Sequence, residues 1–239
     1  MSNQLTPIGQ SEYEAQRSAA LASLIEQKRR RRVFLGPNIS VLFENRETVR
    51  GILHESLRAN GSWHGHRLRE EVAEHQHLVP TSGMLSATFM LHGGDTSQGI
   101  QLCEELAEDS SSVMQLHLGD RTIAANTITE LGAMASLVQY LSFAVGNQAS
   151  AALASPSVPA RLSIRAFGRA TEHAIPWQTR LALSEQLAEY GEIPRISPIL
   201  QASPASAVVR EAGFPIRLLT ALRISRRVAH ARPTIAQFG

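Results

Sequence analysis

The chain reads as an α+β domain, a mostly antiparallel sheet with helices packed on it, followed by a C-terminal Pro-rich and helical extension. Three observations predict this. Apolar, β-branched and aromatic runs recur at residues 33–35, 39–43, 85–92, 113–118, 121–125, 137–145 and 161–167, with the alternation or clustering of strands. Consecutive runs are separated by tight Gly-containing turns or by single helical stretches, an order that lays helices on a sheet. At 239 residues and 43% hydrophobic composition the chain can bury a sizeable core.

The elements follow in order. Ser11 and Glu14 have the spacing of a capping box, so a helix is expected from there. Ala15, Ala19, Leu21, Leu24 and Ile25 form its apolar side, and it runs out into Lys28, Arg29, Arg30, Arg31 and Arg32. Cations at a helix C-terminus complement the dipole; the same four arginines are also a candidate anion-binding patch. Two short strands then flank the turn Gly36-Pro37-Asn38. Asn45 can cap the next helix, in which Val49, Ile52, Leu53 and Leu57 keep the 3.6 period up to Asn60-Gly61. Glu44 and Asn45 form a strand-to-helix corner that suits either a ligand or a structural turn.

Residues 66–77 read as a third helix. His66, Glu70, Glu74 and His77 recur on one of its faces, either as a solvated polar face or as metal ligands, with zinc or iron as the metals that accept imidazole and carboxylate. No cofactor follows from this pattern alone, because the second Glu-x-x-His helix of a di-iron bundle is missing from the sequence. Next come a strand over 85–92, a short helix whose apolar face holds Ile100, Cys103 and Leu106, and a hairpin turning at Gly119-Asp120. Cys103 therefore reads as a small core side chain. After the strand over 137–145, residues 146–159 read as a linker or long loop, 161–167 as a strand, and Pro176 as the first residue of a helix through Tyr190 carrying Trp177, Leu181 and Leu187. Beyond Gly191 the prolines 194, 198 and 204 interrupt regular structure. A basic amphipathic helix is expected near 214–230, able to dock on a partner, an anionic surface or its own domain.

Charge and composition narrow the function classes. The formal net charge is +2, and Lys28 is the only lysine, so the high pI reflects arginine rather than a strong positive field. A single cysteine leaves no internal disulfide and no all-cysteine metal site within this chain. No stretch approaches the roughly 20 apolar residues of a membrane helix, and the first residues lack a secretion-signal pattern; a cytoplasmic location is expected. Glycine-rich phosphate loops, nucleophile elbows and His-Glu-x-x-His motifs do not occur. The small number of aromatics for stacking argues against nucleic acid as a ligand.

The arrangement of Arg30-Arg31, Leu35-Gly36-Pro37, Leu42-Phe43-Glu44-Asn45-Arg46 with Thr48-Val49, and then Leu78-Val79-Pro80 with Gly83, Leu85 and Ala87-Thr88 resembles an uncharacterised bacterial family, domain-of-unknown-function family 3501. The likeness spans residues 10–188, leaving 189–239 as an extension. Family members tend to be encoded beside rubrerythrin-like and iron–sulfur oxidoreductase proteins. The resemblance therefore implies an accessory or partner-binding protein of a bacterial redox or iron-handling system, with such a protein as partner. The alternatives are a metal-binding protein or metalloenzyme using His66, Glu70, Glu74 and His77, and an anion or nucleic-acid binder using Arg29, Arg30, Arg31 and Arg32.

Overall fold

The computed structural model describes residues 4–92, 96–128 and 137–191. Met1–Glu192 make one compact unit. The expected Pro-rich stretch and basic helix of the extension lie outside the described residues.

Eight strands form one sheet in the order β1-β2-β3-β6-β5-β4-β7-β8, and every pairing between neighbours is antiparallel. They are β1 (Arg32–Phe34), β2 (Ile39–Phe43), β3 (Met84–Leu91), β4 (Met114–Leu118), β5 (Arg121–Thr127), β6 (Val138–Ala144), β7 (Ala160–Ala166) and β8 (Arg169–Ala174). The helices are α1 (Gln10–Arg31), α2 (Arg46–Asn60), α3 (Gly65–Gln76), α4 (Thr96–Val113), α5 (Ala149–Ala154) and α6 (Trp177–Gly191). The fold is α+β, as the sequence predicts.

The alternation of the strands divides the interior in two. Val41, Phe43, Leu85, Ala87, Phe89, Leu141 and Phe143 belong to the larger core with Leu102, Cys103 and Leu106 of α4, Leu153 of α5, and Leu183 and Leu187 of α6. A smaller core gathers Tyr13 of α1 and Val49, Leu53 and Leu57 of α2 with Trp63, Leu78 and Val79, and Tyr140 of β6 packs against it. Strand β2 is buried along its whole length. Its polar Ser40 is nevertheless satisfied, because its hydroxyl lies 2.6 Å from His92 Nε2.

Three local readings are corrected. The first helix begins one residue before Ser11, with Gly9 as its N-cap and no side-chain cap, so Ser11 falls inside the first turn and cannot close a capping box. Its buried side follows the expected apolar residues only in part: Leu21 and Leu24 are half-buried, but Ala15 and Ala19 are exposed and Ile25 is 67% exposed, while Tyr13, Arg17, Lys28 and Arg31 also turn inward. Residues 146–159 contain α5 rather than only a loop. Ala149 and Leu153 are buried there, and Arg180 of α6 donates to the carbonyls of Ala152, Leu153 and Ser155, supplying the acceptors at the C-terminal end of α5 with a fixed cation.

The hairpin of β4 and β5 turns at Gly119, whose φ of 59° suits glycine. A second hairpin, β7 to β8, turns through Phe167 and Gly168, both with positive φ. The sequence reading stops at residue 167 because β8 is exposed almost throughout and so shows no apolar alternation.

Candidate functional site

The strand-to-helix corner after β2 is built as the sequence suggests. Asn45 caps α2, its side chain accepting from the Thr48 amide at 2.8 Å while the Thr48 hydroxyl accepts from the Asn45 amide at 2.9 Å. This reciprocal box satisfies two amides near the helix start. Gly61 ends the helix in the left-handed conformation, its amide bonded to the Leu57 carbonyl.

Glu44 sits behind this cap, 0% exposed. Each carboxylate oxygen takes one threonine hydroxyl: Thr48 Oγ1 at 2.5 Å from α2 and Thr88 Oγ1 at 2.6 Å from β3. Burial pushes the Glu44 carboxyl up, and the two hydroxyls together with Lys28 and Arg31 pull it back. Burial in turn lowers Lys28, and it brings Arg31 down to about 10, while the Glu44 charge opposes both shifts. Burial also pushes Tyr140 up to about 12, with Glu44 adding to the shift. Glu44 thus joins α1, α2 and the sheet electrostatically.

Arg31 leads from this cluster to a cleft of about 390 Å³ formed by the end of α1, the start of α2 and one side of α6. Its guanidinium donates to Gln186 Oε1 at 2.6 Å and to the Ala182 carbonyl at 3.1 Å. Gln186 is 3% exposed. Its Nε2 is the one buried side-chain polar atom without a hydrogen-bond partner among the described residues. Arg30, Arg46, Glu47, Glu185 and Glu189 also line the cleft. Arg46 donates to the Gln4 carbonyl, and Glu47 pairs with Arg50.

The four arginines of the basic run are separated by the helix geometry. Arg29 pairs with Glu26 in the same helix, Arg30 faces the cleft, Arg31 is buried, and Arg32 starts β1 opposite Leu42. The His/Glu face of α3 stays at the surface. His66 Nδ1 lies 3.1 Å from Glu70 Oε1, both side chains more than half exposed; Glu74 and His77 are exposed as well. Burial and the neighbouring Glu71 and Glu70 push the Glu74 carboxyl up. Among the described residues, no group of three or more His, Cys, Asp or Glu is arranged to hold a metal ion. Cys103 is buried in the larger core and its thiol is pushed up to about 11, chiefly by burial, which keeps it protonated near neutrality.

Sequence reasoning singled out Glu44, Asn45 and the arginines but missed Gln186, Lys28 and Tyr140. Gln186 lies one residue before Leu187 and three after Leu183, both buried. That position on the apolar face of α6 is the signal that could have marked it as an inward polar group.

The family described as "Protein of unknown function (DUF3501)" matches residues 3–187. The chain belongs to this family. A solved structure, that of a novel protein of unknown function from Burkholderia pseudomallei, is similar with a TM-score of 0.66 and 22% identity, covering 76% of this chain and 96% of that one. At this identity the likeness shows the shared fold. None of the curated proteins compared matches the chain. The family match takes in α1 to α5, all eight strands and most of α6, so the Glu44 corner and Gln186 both fall inside the family domain. No helix of the described residues is long and apolar enough to cross a membrane.

Proposed function

We propose that this protein is an accessory protein that binds a protein partner in a bacterial redox or iron-handling system and does not itself turn over substrate. The setting comes from the family resemblance, which implies a rubrerythrin-like or iron–sulfur oxidoreductase protein as the partner. The observation that carries the binding role is the placement of two exposed phenylalanines at the two ends of the sheet. Phe34 lies on β1, the strand at one edge, and is 62% exposed; Phe167 lies at the tip of the hairpin leading to β8, the strand at the other edge, and is 53% exposed. Phe167 also holds a left-handed backbone, φ 54°, which is unfavourable for a bulky residue and is tolerated where surrounding structure or function demands it. Sheet edges offer unpaired backbone groups to another chain, and aromatic side chains dominate interface energetics.

The glutamate corner supports the same reading. Glu44, the best-placed carboxylate for acid–base chemistry, is closed off from solvent with both oxygens already engaged. A group so placed holds structure rather than reaching a substrate.

The test is co-purification of the tagged full chain with the rubrerythrin-like or iron–sulfur products of the adjacent genes, expressed together. Stoichiometric recovery is expected, and a Phe34→Ser/Phe167→Ser double variant of unchanged melting temperature should lose most of it. Recovery of this chain alone, with those proteins present and soluble, would argue against the reading.

A further inference from the structure

We propose that the outer edge of β8 takes an acidic, extended segment of the partner protein as an added strand of the sheet. The inference rests on the partner-binding reading above and names where, and by what chemistry, the partner is held.

The first ground is which backbone groups the edge leaves open. Phe167 and Gly168 form a two-residue turn with φ of 54° and 72°, so Ala166 and Arg169, which close it, exchange both backbone hydrogen bonds. Bonded and non-bonded pairs then alternate along the hairpin, and the Ile175 amide, bonded to the Ala160 carbonyl at 2.9 Å, fixes the same phase at the far end. Arg169, Thr171 and His173 therefore direct their N–H and C=O groups at β7, while Ala170, Glu172 and Ala174 direct theirs away from the sheet. β8 is the last strand of the order and is exposed almost throughout. The outward amides and carbonyls of these three residues have no backbone partner among the described residues.

The second ground is that this edge stays open while the other is blunted. Exposed edges are normally protected by shortness, lysine, proline or bulges. At the opposite edge β1 is three residues long and leads into Gly36-Pro37. β8 pairs with β7 over six successive residues without a bulge and contains neither lysine nor proline. Ala170 and Ala174 present only methyl groups to a strand laid alongside.

The third ground, charge, selects the occupant. On the face that carries Ala170, Glu172 and Ala174, Arg165 stands across from Ala170 and Arg161 across from Ala174. Arg169 lies on the other face at the hairpin end. Of these three arginines only Arg161 has an ion pair among the described residues, with Glu172 at 3.1 Å. Three arginines against one glutamate favour a strand with carboxylates opposite the two alanines. Main-chain hydrogen bonds then supply affinity and the alternating side chains supply specificity. A second copy of β8 would bring the same basic set to the edge, and a nucleic acid carries no donor–acceptor alternation to match it.

The probe is the synthetic peptide Ser-Glu-Val-Thr-Val-Glu-Val-Ser, blocked at both ends and titrated into the isotope-labelled full chain, with amide hydrogen exchange read by NMR. Saturable binding with a Kd below about 1 mM is expected, and exchange of the Ala170, Glu172 and Ala174 amides should slow at least tenfold. A peptide with lysine for both glutamates, and one with proline for the central threonine, should each bind at least tenfold more weakly. Ala170→Pro removes an outward N–H that β7 does not use and should abolish binding with unchanged circular dichroism. Arg165→Glu, at an exposed position, should weaken binding at least fivefold and decides the matter should the proline variant not fold. No binding, equal binding of the lysine peptide, protection that spares the three amides, unchanged affinity in the folded variants, or the same protection without peptide in a self-associated chain would overturn the proposal. A complex recovered by co-expression in which the three amides still exchange freely overturns this inference and leaves the partner reading standing. Peptide binding as expected with no complex recovered fails the partner reading and leaves the edge assignment standing.

Discussion

At Glu44 each carboxylate oxygen accepts a threonine hydroxyl, and the residue is out of contact with water. Glu44→Gln keeps the shape but turns one of these acceptors into a donor and removes the charge that Lys28 and Arg31 face. Hydrogen bonds to a charged group are worth more than neutral ones, so the substitution should cost about 2–3 kcal/mol in urea denaturation. A change below about 0.5 kcal/mol would mean that the carboxyl is held neutral in the fold. Asn45 is legible here because a cap needs particular residue types just before a helix. Thr88 is not, since it lies 44 positions away in sequence and reaches Glu44 only through the pairing of β2 with β3.

Among the elements, α5 shows how a polar side chain can decide whether a short helix exists. Six residues rich in alanine are marginal alone, and this stretch reads as a loop by composition. Arg180 donates to three of its terminal carbonyls and stacks over the Trp177 ring at 5.1 Å, while Ser150 and Ser184 bond across the α5–α6 contact. Arg180→Met should therefore cost roughly 2 kcal/mol, and limited proteolysis should show new cleavage within residues 149–155; equal protease resistance would remove the capping role. The longer elements were legible because their periodicity runs over many residues. The inward side of α1 was legible only in part, because beside Leu21 and Leu24 it carries Tyr13, Arg17, Lys28 and Arg31, which hydropathy places outside and which face partners inside. Arg17, for example, binds Glu55 through two parallel hydrogen bonds at 2.8 Å, and Tyr13 donates to the same carboxylate at 2.6 Å.

For the whole molecule, the attachment of α1 and the N-terminal segment to α2 sets a dependence on pH. His54 Nε2 accepts from the Ile8 amide at 3.1 Å and lies against Tyr13 and Trp63. Burial first, and then the charge of Arg50, hold its pKa down to about 4. Between pH 6.5 and about 4 the unfolded chain binds a proton there that the folded chain does not, so stability falls as pH falls. The loss should reach roughly 2–3 kcal/mol by pH 4. Glu55 adds to it from the acid side, since its hydrogen bond with Arg17 holds its carboxyl below the usual range. Denaturation midpoints from pH 7 to 4 should show the decline, and His54→Gln, which retains an acceptor, should flatten the part above about pH 4.5; an unchanged slope would assign the decline elsewhere. The sequence by itself determined the α+β class, most strands and helices, and the capped corner after β2, because periodicity, turns and caps act over a few neighbouring residues. Only the tertiary structure decided which arginine of the basic run is buried, that Glu44 faces two threonines from separate elements, and that Gln186 is buried against Arg31. Those outcomes depend on which helix crosses which face of the sheet, and that is set by long-range packing that no local pattern encodes.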